Sequence, residues 1–149
     1  MKYQELVDVY SALENTTKRL EKTQIISNFL LKLDSTTLEQ VGLLILGSIF
    51  PAWSDKEIGI GNKLVMQAVG EAVGVTPDKV EDAVRDQGDI GLACISLYAK
   101  KSQTTFFSQP LTIDFVFKSL RKLSEKSGAR STKRKIDIIL EMLSQASAS

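Results

Sequence analysis

Apolar residues recur at three- and four-residue spacing along almost the whole chain, and no stretch keeps a period of two. A helix returns to the same face about every 3.6 residues and a strand every second residue, so this pattern supports apolar stripes on helices and denies them to strands. The expected fold class is therefore all-α, a single compact domain of about eight helices over residues 1–149.

Helix boundaries follow from the punctuation between stripes. A first helix is expected near Tyr3 to Asn15, with Leu6, Val9, Tyr10 and Leu13 on one face, and a second near Thr17 to Leu33, with Leu20, Ile25, Phe29 and Leu30 aligned. Thr36 with Glu39 has the spacing of a capping box for a third helix that runs through Ile49 and stops at Pro51. A fourth helix follows a loop containing Trp53, Gly59 and Gly61 and ends at Gly74. Thr76-Pro77-Asp78 then supplies a cap, a proline at the first helical position and an acid in the first turn of a fifth. The sixth runs from about Asp89 to Lys100, the seventh from Thr112 to Lys126 and the eighth from Ser131 to Gln145.

With 43% hydrophobic and 25% charged residues, a chain of this length can bury a core without metal or disulfide support. Cys94 is the single cysteine and histidine is absent, which excludes an intramolecular disulfide and a soft-ligand zinc cluster and fits a reducing cytosol. The opening residues lack the apolar stretch of a signal peptide, and the longest apolar run, Val41 to Phe50, is too short to cross a bilayer. The expected location is cytoplasmic, without a membrane partner.

The net charge of +1 conceals a strong division: residues 1–99 carry 9 Lys/Arg against 14 Asp/Glu, whereas residues 100–135 carry 10 against 2. A basic segment of this kind suits a polyanionic partner, and a merely solvated helix face is the alternative.

Three loop-to-helix junctions share one physical feature. In Glu57-Ile58-Gly59-Ile60-Gly61-Asn62-Lys63, two glycines admit close backbone approach just before a helix whose unpaired N–H groups carry partial positive charge. Gln87-Gly88-Asp89-Ile90-Gly91 repeats the arrangement, although Asp89 is more naturally a helix cap than a phosphate contact. Ser127-Gly128-Ala129-Arg130-Ser131-Thr132-Lys133-Arg134-Lys135 sets a glycine turn, hydroxyls and cations around a third helix start. Several anion-favouring helix starts on one small domain suit a long, repetitive anion, and a nucleic-acid backbone is one. Such contacts position a duplex without reading its sequence.

A different pattern stands in Gln103-Thr104-Thr105-Phe106-Phe107, where two adjacent aromatics lie among polar residues. Gln103 followed by Phe106 and Phe107 has the look of a short sliding-clamp-binding peptide, with aromatics as pocket anchors. A threonine fills its usual aliphatic position.

In order along the chain, Pro51-Ala52-Trp53 with Gly59-Ile60-Gly61, Gly88-Asp89-Ile90-Gly91, Gln109-Pro110-Leu111-Thr112 and Gly128-Ala129-Arg130-Ser131-Thr132-Lys133-Arg134-Lys135-Ile136-Asp137-Ile138-Ile139 resemble the N-terminal domain of ATP-dependent DNA ligases, and the opening, with no long extension ahead of the first expected helix, resembles the archaeal branch. The resemblance implies a non-catalytic domain that grips the minor groove of nicked duplex DNA while an adenylation domain and an OB-fold domain, both outside this sequence, complete a ring in replication, repair and recombination. It further implies that Gly59, Gly61, Lys63, Gly88, Gly91, Gly128, Ser131, Thr132, Lys133 and Lys135 face DNA, and that Gln103, Phe106 and Phe107 dock the sliding clamp (PCNA). A monomer associated with the nucleoid is expected. The family's adenylated lysine lies in a Lys-x-Asp-Gly motif that this sequence lacks; Lys135-Ile136-Asp137-Ile138 comes nearest but misses the glycine. No catalytic residue, metal or cofactor is therefore expected here, ATP and magnesium being used by the other domains. A helical protein-interaction adaptor using the Phe106-Phe107 loop is the competing reading.

Overall fold

The computed structural model describes residues 1–100, 110–126 and 131–146. Among these, eight helices succeed one another: α1 (Tyr3–Glu14), α2 (Arg19–Leu30), α3 (Ser35–Ile45), α4 (Asn62–Val73), α5 (Pro77–Gln87), α6 (Ile90–Ala99), α7 (Ile113–Glu125) and α8 (Ser131–Gln145). The fold is all-α, as the periodicity requires, and the sole β feature among the described residues is an isolated antiparallel bridge between Lys2 and Thr112. None of the described helices is long and apolar enough to cross a membrane.

Contacts divide the chain into two compact units, one of Met1–Glu57 with Leu111–Arg121 and the other of Ile58–Pro110 with Lys122–Ser149. The core of the first unit is Leu6, Phe29, Val41 and Ile113, with Tyr10 and Leu44 among the side chains packed on it. Its chain start is tied down by backbone bonds in which Tyr3 N–H donates to Leu111 O at 2.8 Å and Ile113 N–H to Met1 O at 3.2 Å. In the second unit α4 packs against α5, α6 and α8, and α5 against α6. Ala68, Val69, Val80, Ala93, Leu123, Ile136 and Ile139 are buried there.

Several expected boundaries move. The cap of α3 is Asp34, not Thr36 with Glu39: its carboxylate accepts from the backbone N–H groups of Thr36 and Thr37, both at 3.0 Å. An aspartate one position before the helix satisfies two orphan donors directly, which leaves the capping-box pair without a task. The same helix ends at Ile45, not at Pro51, because Gly47 takes a left-handed φ of 70°. Helix α2 is shorter than its apolar pattern suggests, and Leu20, placed on its inner face by spacing, is 84% exposed.

Candidate nucleic-acid interface

The starts of α4, α6 and α8 all belong to the second unit. Gly61 is the N-cap of α4, in extended backbone geometry, and Lys63 lies exposed in the first turn. Gly59 has a φ of 62°, a left-handed conformation that glycine adopts without a Cβ penalty. Its carbonyl accepts from the Lys135 ammonium at 2.6 Å, so the loop before α4 is fastened to the first turns of α8. Gly88 ends α5 with a φ of 74°, and Asp89 caps α6 by accepting from Leu92 N–H at 2.9 Å. Asn62 and Met66 of α4 share with Glu81, Arg85, Gly88, Asp89 and Ile90 the wall of a cleft of about 430 Å³. The α4 junction thus adjoins α8 through the Lys135 hydrogen bond and the α6 start across a cleft.

Charge placement on these helices is uneven in an informative way. In α5 it follows the macrodipole, with Asp78 in the first turn and Arg85 in the last. By contrast, α4 and α8 have no acid in the first turn, where Lys63 and Lys133 stand instead. A cation at a helix N-terminus opposes the dipole by roughly 0.3–1 kcal/mol, an arrangement that an anion laid against the helix start would relieve.

The family described as DNA ligase N terminus matches residues 2–149. The chain belongs to that family. It is similar to the DNA ligase of Methanothermobacter thermautotrophicus, with 52% identity over 144 residues that cover 97% of this chain and 26% of the relative. Similarity to the DNA ligase of Thermococcus onnurineus is 42% over 98% of this chain and 26% of the relative, and to that of Methanocaldococcus jannaschii 32% over 99% and 26%. This archaeal ligase N-terminal domain therefore spans about a quarter of the length of those relatives.

Within the ligase domain, the residues singled out by sequence separate into different physical roles. Gly61 is exposed and an added Cβ would meet nothing within 4 Å, so packing within the fold does not demand a glycine there. A Cβ at Gly91 would come within 3.0 Å of the Asp89 capping oxygen, so that glycine serves the α6 cap. Thr132 and Lys133 are exposed and Ser131 partly buried at the start of α8, whereas Lys135 is partly buried and engaged with Gly59. Gly128, Gln103, Phe106 and Phe107 lie outside the described residues.

The basic segment also proves to be mixed. Lys118 pairs with Asp114 at 2.8 Å, and Asp114 in turn accepts from the Gln40 side chain at 2.8 Å. Arg121 donates from Nε to Ile49 O at 3.0 Å while its guanidinium lies 4.4 Å from the Phe117 ring centre and 5.6 Å from that of Phe50. Lys118 thus pairs with a carboxylate of its own helix, whereas Arg121 joins α7 to Ile49 and Phe50. Charge counting along the sequence cannot separate them from Lys133 or Arg134, although Asp114 four residues before Lys118 is a helix-pair spacing that marks the first of them. A further exposed group is Trp53, 87% accessible in a turn closed by Ser54 N–H on Pro51 O at 2.9 Å.

Neither a metal nor a reactive thiol emerges from the described residues. Among them no group of three or more His, Cys, Asp or Glu could hold a metal ion. Burial first, and the Asp89 charge second, push the Cys94 thiol up, which keeps it neutral and poorly nucleophilic at neutral pH.

Proposed function

We propose that this ligase domain holds nicked duplex DNA by its phosphate backbone and minor groove, without sequence preference, for an ATP-dependent catalytic core of adenylation and OB-fold domains in replication, repair and recombination. The observation that carries this reading is that the α4 start is bonded to α8 and shares a cleft with the α6 start, with a lysine in the first turns of α4 and α8 where the macrodipole favours an anion. Lys63, Lys133, Ser131 and Thr132 would contact phosphates, Gly61 would admit the backbone closely, and Gly88, Gly91 and Gly128 would shape the adjoining loops. Lys135 joins the same face through its bond to Gly59.

Gln103, Phe106 and Phe107 would tether the sliding clamp (PCNA), an assignment that rests on their sequence pattern. The catalytic lysine, ATP and magnesium belong to the other domains, and the chain alone would neither bind ATP nor adenylate itself. Its place would be the cytoplasm, on the nucleoid.

Fluorescence anisotropy with labelled nicked duplex at two salt concentrations tests the proposal. Binding that weakens steeply with salt and is indifferent to DNA sequence is expected, since each neutralised phosphate releases counterions. No binding even at low salt would favour the protein-adaptor reading.

A further inference from the structure

The four cations from Arg130 to Lys135 look equivalent in sequence, but among the three that are described, Lys133, Arg134 and Lys135, the structure distinguishes one. Lys133 and Arg134 are exposed, whereas Lys135 is partly buried, one residue before the buried Ile136. Its ammonium donates to the Gly59 carbonyl at 2.6 Å, across 76 residues of sequence. An ammonium has three donors and no acceptor and is strongly hydrated, so a lysine that only awaited a phosphate would keep all three for water. Here one donor is committed to a backbone oxygen on another junction. The acceptor is itself specialised: Gly59 is left-handed, and a Cβ there would lie 3.4 Å from the Lys135 nitrogen.

We infer that Lys135 is a positioning residue, a latch that fixes the Gly59-Ile60-Gly61 loop to α8 so that the α4 and α8 starts present their N–H groups and cations at a fixed spacing. The role rests on the reading of this face as the DNA-facing one. Two anion sites fit successive phosphates only if the distance between them is set before binding, and a loop left to find its place would lose affinity to ordering. Lys135 therefore contributes through Gly59, while Lys133 contributes through a phosphate.

The two roles leave different marks on salt dependence. Lys135→Met keeps the unbranched stem of the side chain as far as Cε while removing donor and charge; Lys133→Met does the same two residues earlier. In anisotropy titrations of the full chain with nicked duplex, Lys135→Met is expected to weaken binding about fivefold at every salt concentration, the effect of one ordinary hydrogen bond. The slope of log K against log salt should stay as in the parent, whereas Lys133→Met should lower it by about 0.9. Without DNA, amide hydrogen exchange at Gly59, Ile60 and Gly61 should quicken in Lys135→Met and that of Ile139 should not.

A slope loss in Lys135→Met as large as in Lys133→Met would overturn the latch and make Lys135 a phosphate contact. Unchanged exchange in the Gly59 loop would overturn it as well. Failure of the parent chain to bind DNA would instead overturn the DNA reading, and the exchange result would then judge the bond between α8 and the loop by itself.

Discussion

At Gly61 the fold and the proposed ligand make opposite demands on one residue. Serine is a better helix cap than glycine, and a Cβ there meets no protein atom within 4 Å. Gly61→Ser should therefore leave thermal stability unchanged or raise it by a few tenths of a kcal/mol, while weakening binding to nicked DNA by crowding the approaching backbone. A variant that binds as well as the parent would remove Gly61 from the interface. Gly70 shows the reverse case. Mid-helix alanine is normally favourable, yet a Cβ at Gly70 would sit 2.8 Å from Val75 O, a backbone atom that cannot swing aside. Gly70→Ala should cost about 1–3 kcal/mol in a denaturant titration, and a neutral result would mean that the α4 to α5 turn yields easily. The sequence offers nothing to set Gly70 apart from Gly61, because what decides between them is the carbonyl of a turn that only the folded backbone brings close. Asp89, in contrast, is legible as a cap from its position alone.

Among elements, the helices are legible where local chemistry decides them and blurred where packing does. The start of α5 follows from Thr76-Pro77-Asp78, and the inward face of α8, with Ile136 and Ile139 buried, follows from spacing. The limits of α2 and α3 do not, since Leu20 and Leu46 continue the apolar pattern but stand 84% and 79% exposed. Thr37, through its backbone N–H first and its hydroxyl second, holds the Asp34 carboxyl below its usual 3.8, and Lys118 followed by Gln40 does the same for Asp114. A carboxyl depressed in the folded state adds stability that is complete above its unfolded value and is lost as pH falls through the lower folded one. Thermal melts on either side of pH 3.8 should thus show the parent weakening with acid more than the Asp34→Asn, Asp114→Asn double variant, in which Asn still caps α3. Equal pH dependence would show that other groups govern the acid limb. Arg121 joins α7 to Ile49 and two aromatic rings, so Arg121→Ala should cost about 2 kcal/mol of stability without altering the salt slope of DNA binding. A lower slope in that variant would place Arg121 on the DNA.

At the scale of the whole molecule, a near-neutral chain is arranged so that its basic residues perform two unlike tasks. Arg121 ties α7 to Ile49 and Lys118 pairs along its own helix, whereas Lys63 and Lys133 stand in the first turns of α4 and α8, where the backbone already favours an anion. Family and fold class were legible in ordered sequence blocks and periodicity, but this division of labour was not, because it depends on which cations meet carboxylates, carbonyls and rings after folding. The most direct test compares the salt slope of nicked-DNA binding in three chains: the parent, a Lys63→Ala, Lys133→Ala variant, and a Lys18→Ala, Lys22→Ala control in the first unit. Loss of about 1.8 from the slope in the first variant and none in the control is the expected result. Equal slopes in all three chains, or the same loss in both variants, would contradict a phosphate-binding face built on the joined helix starts.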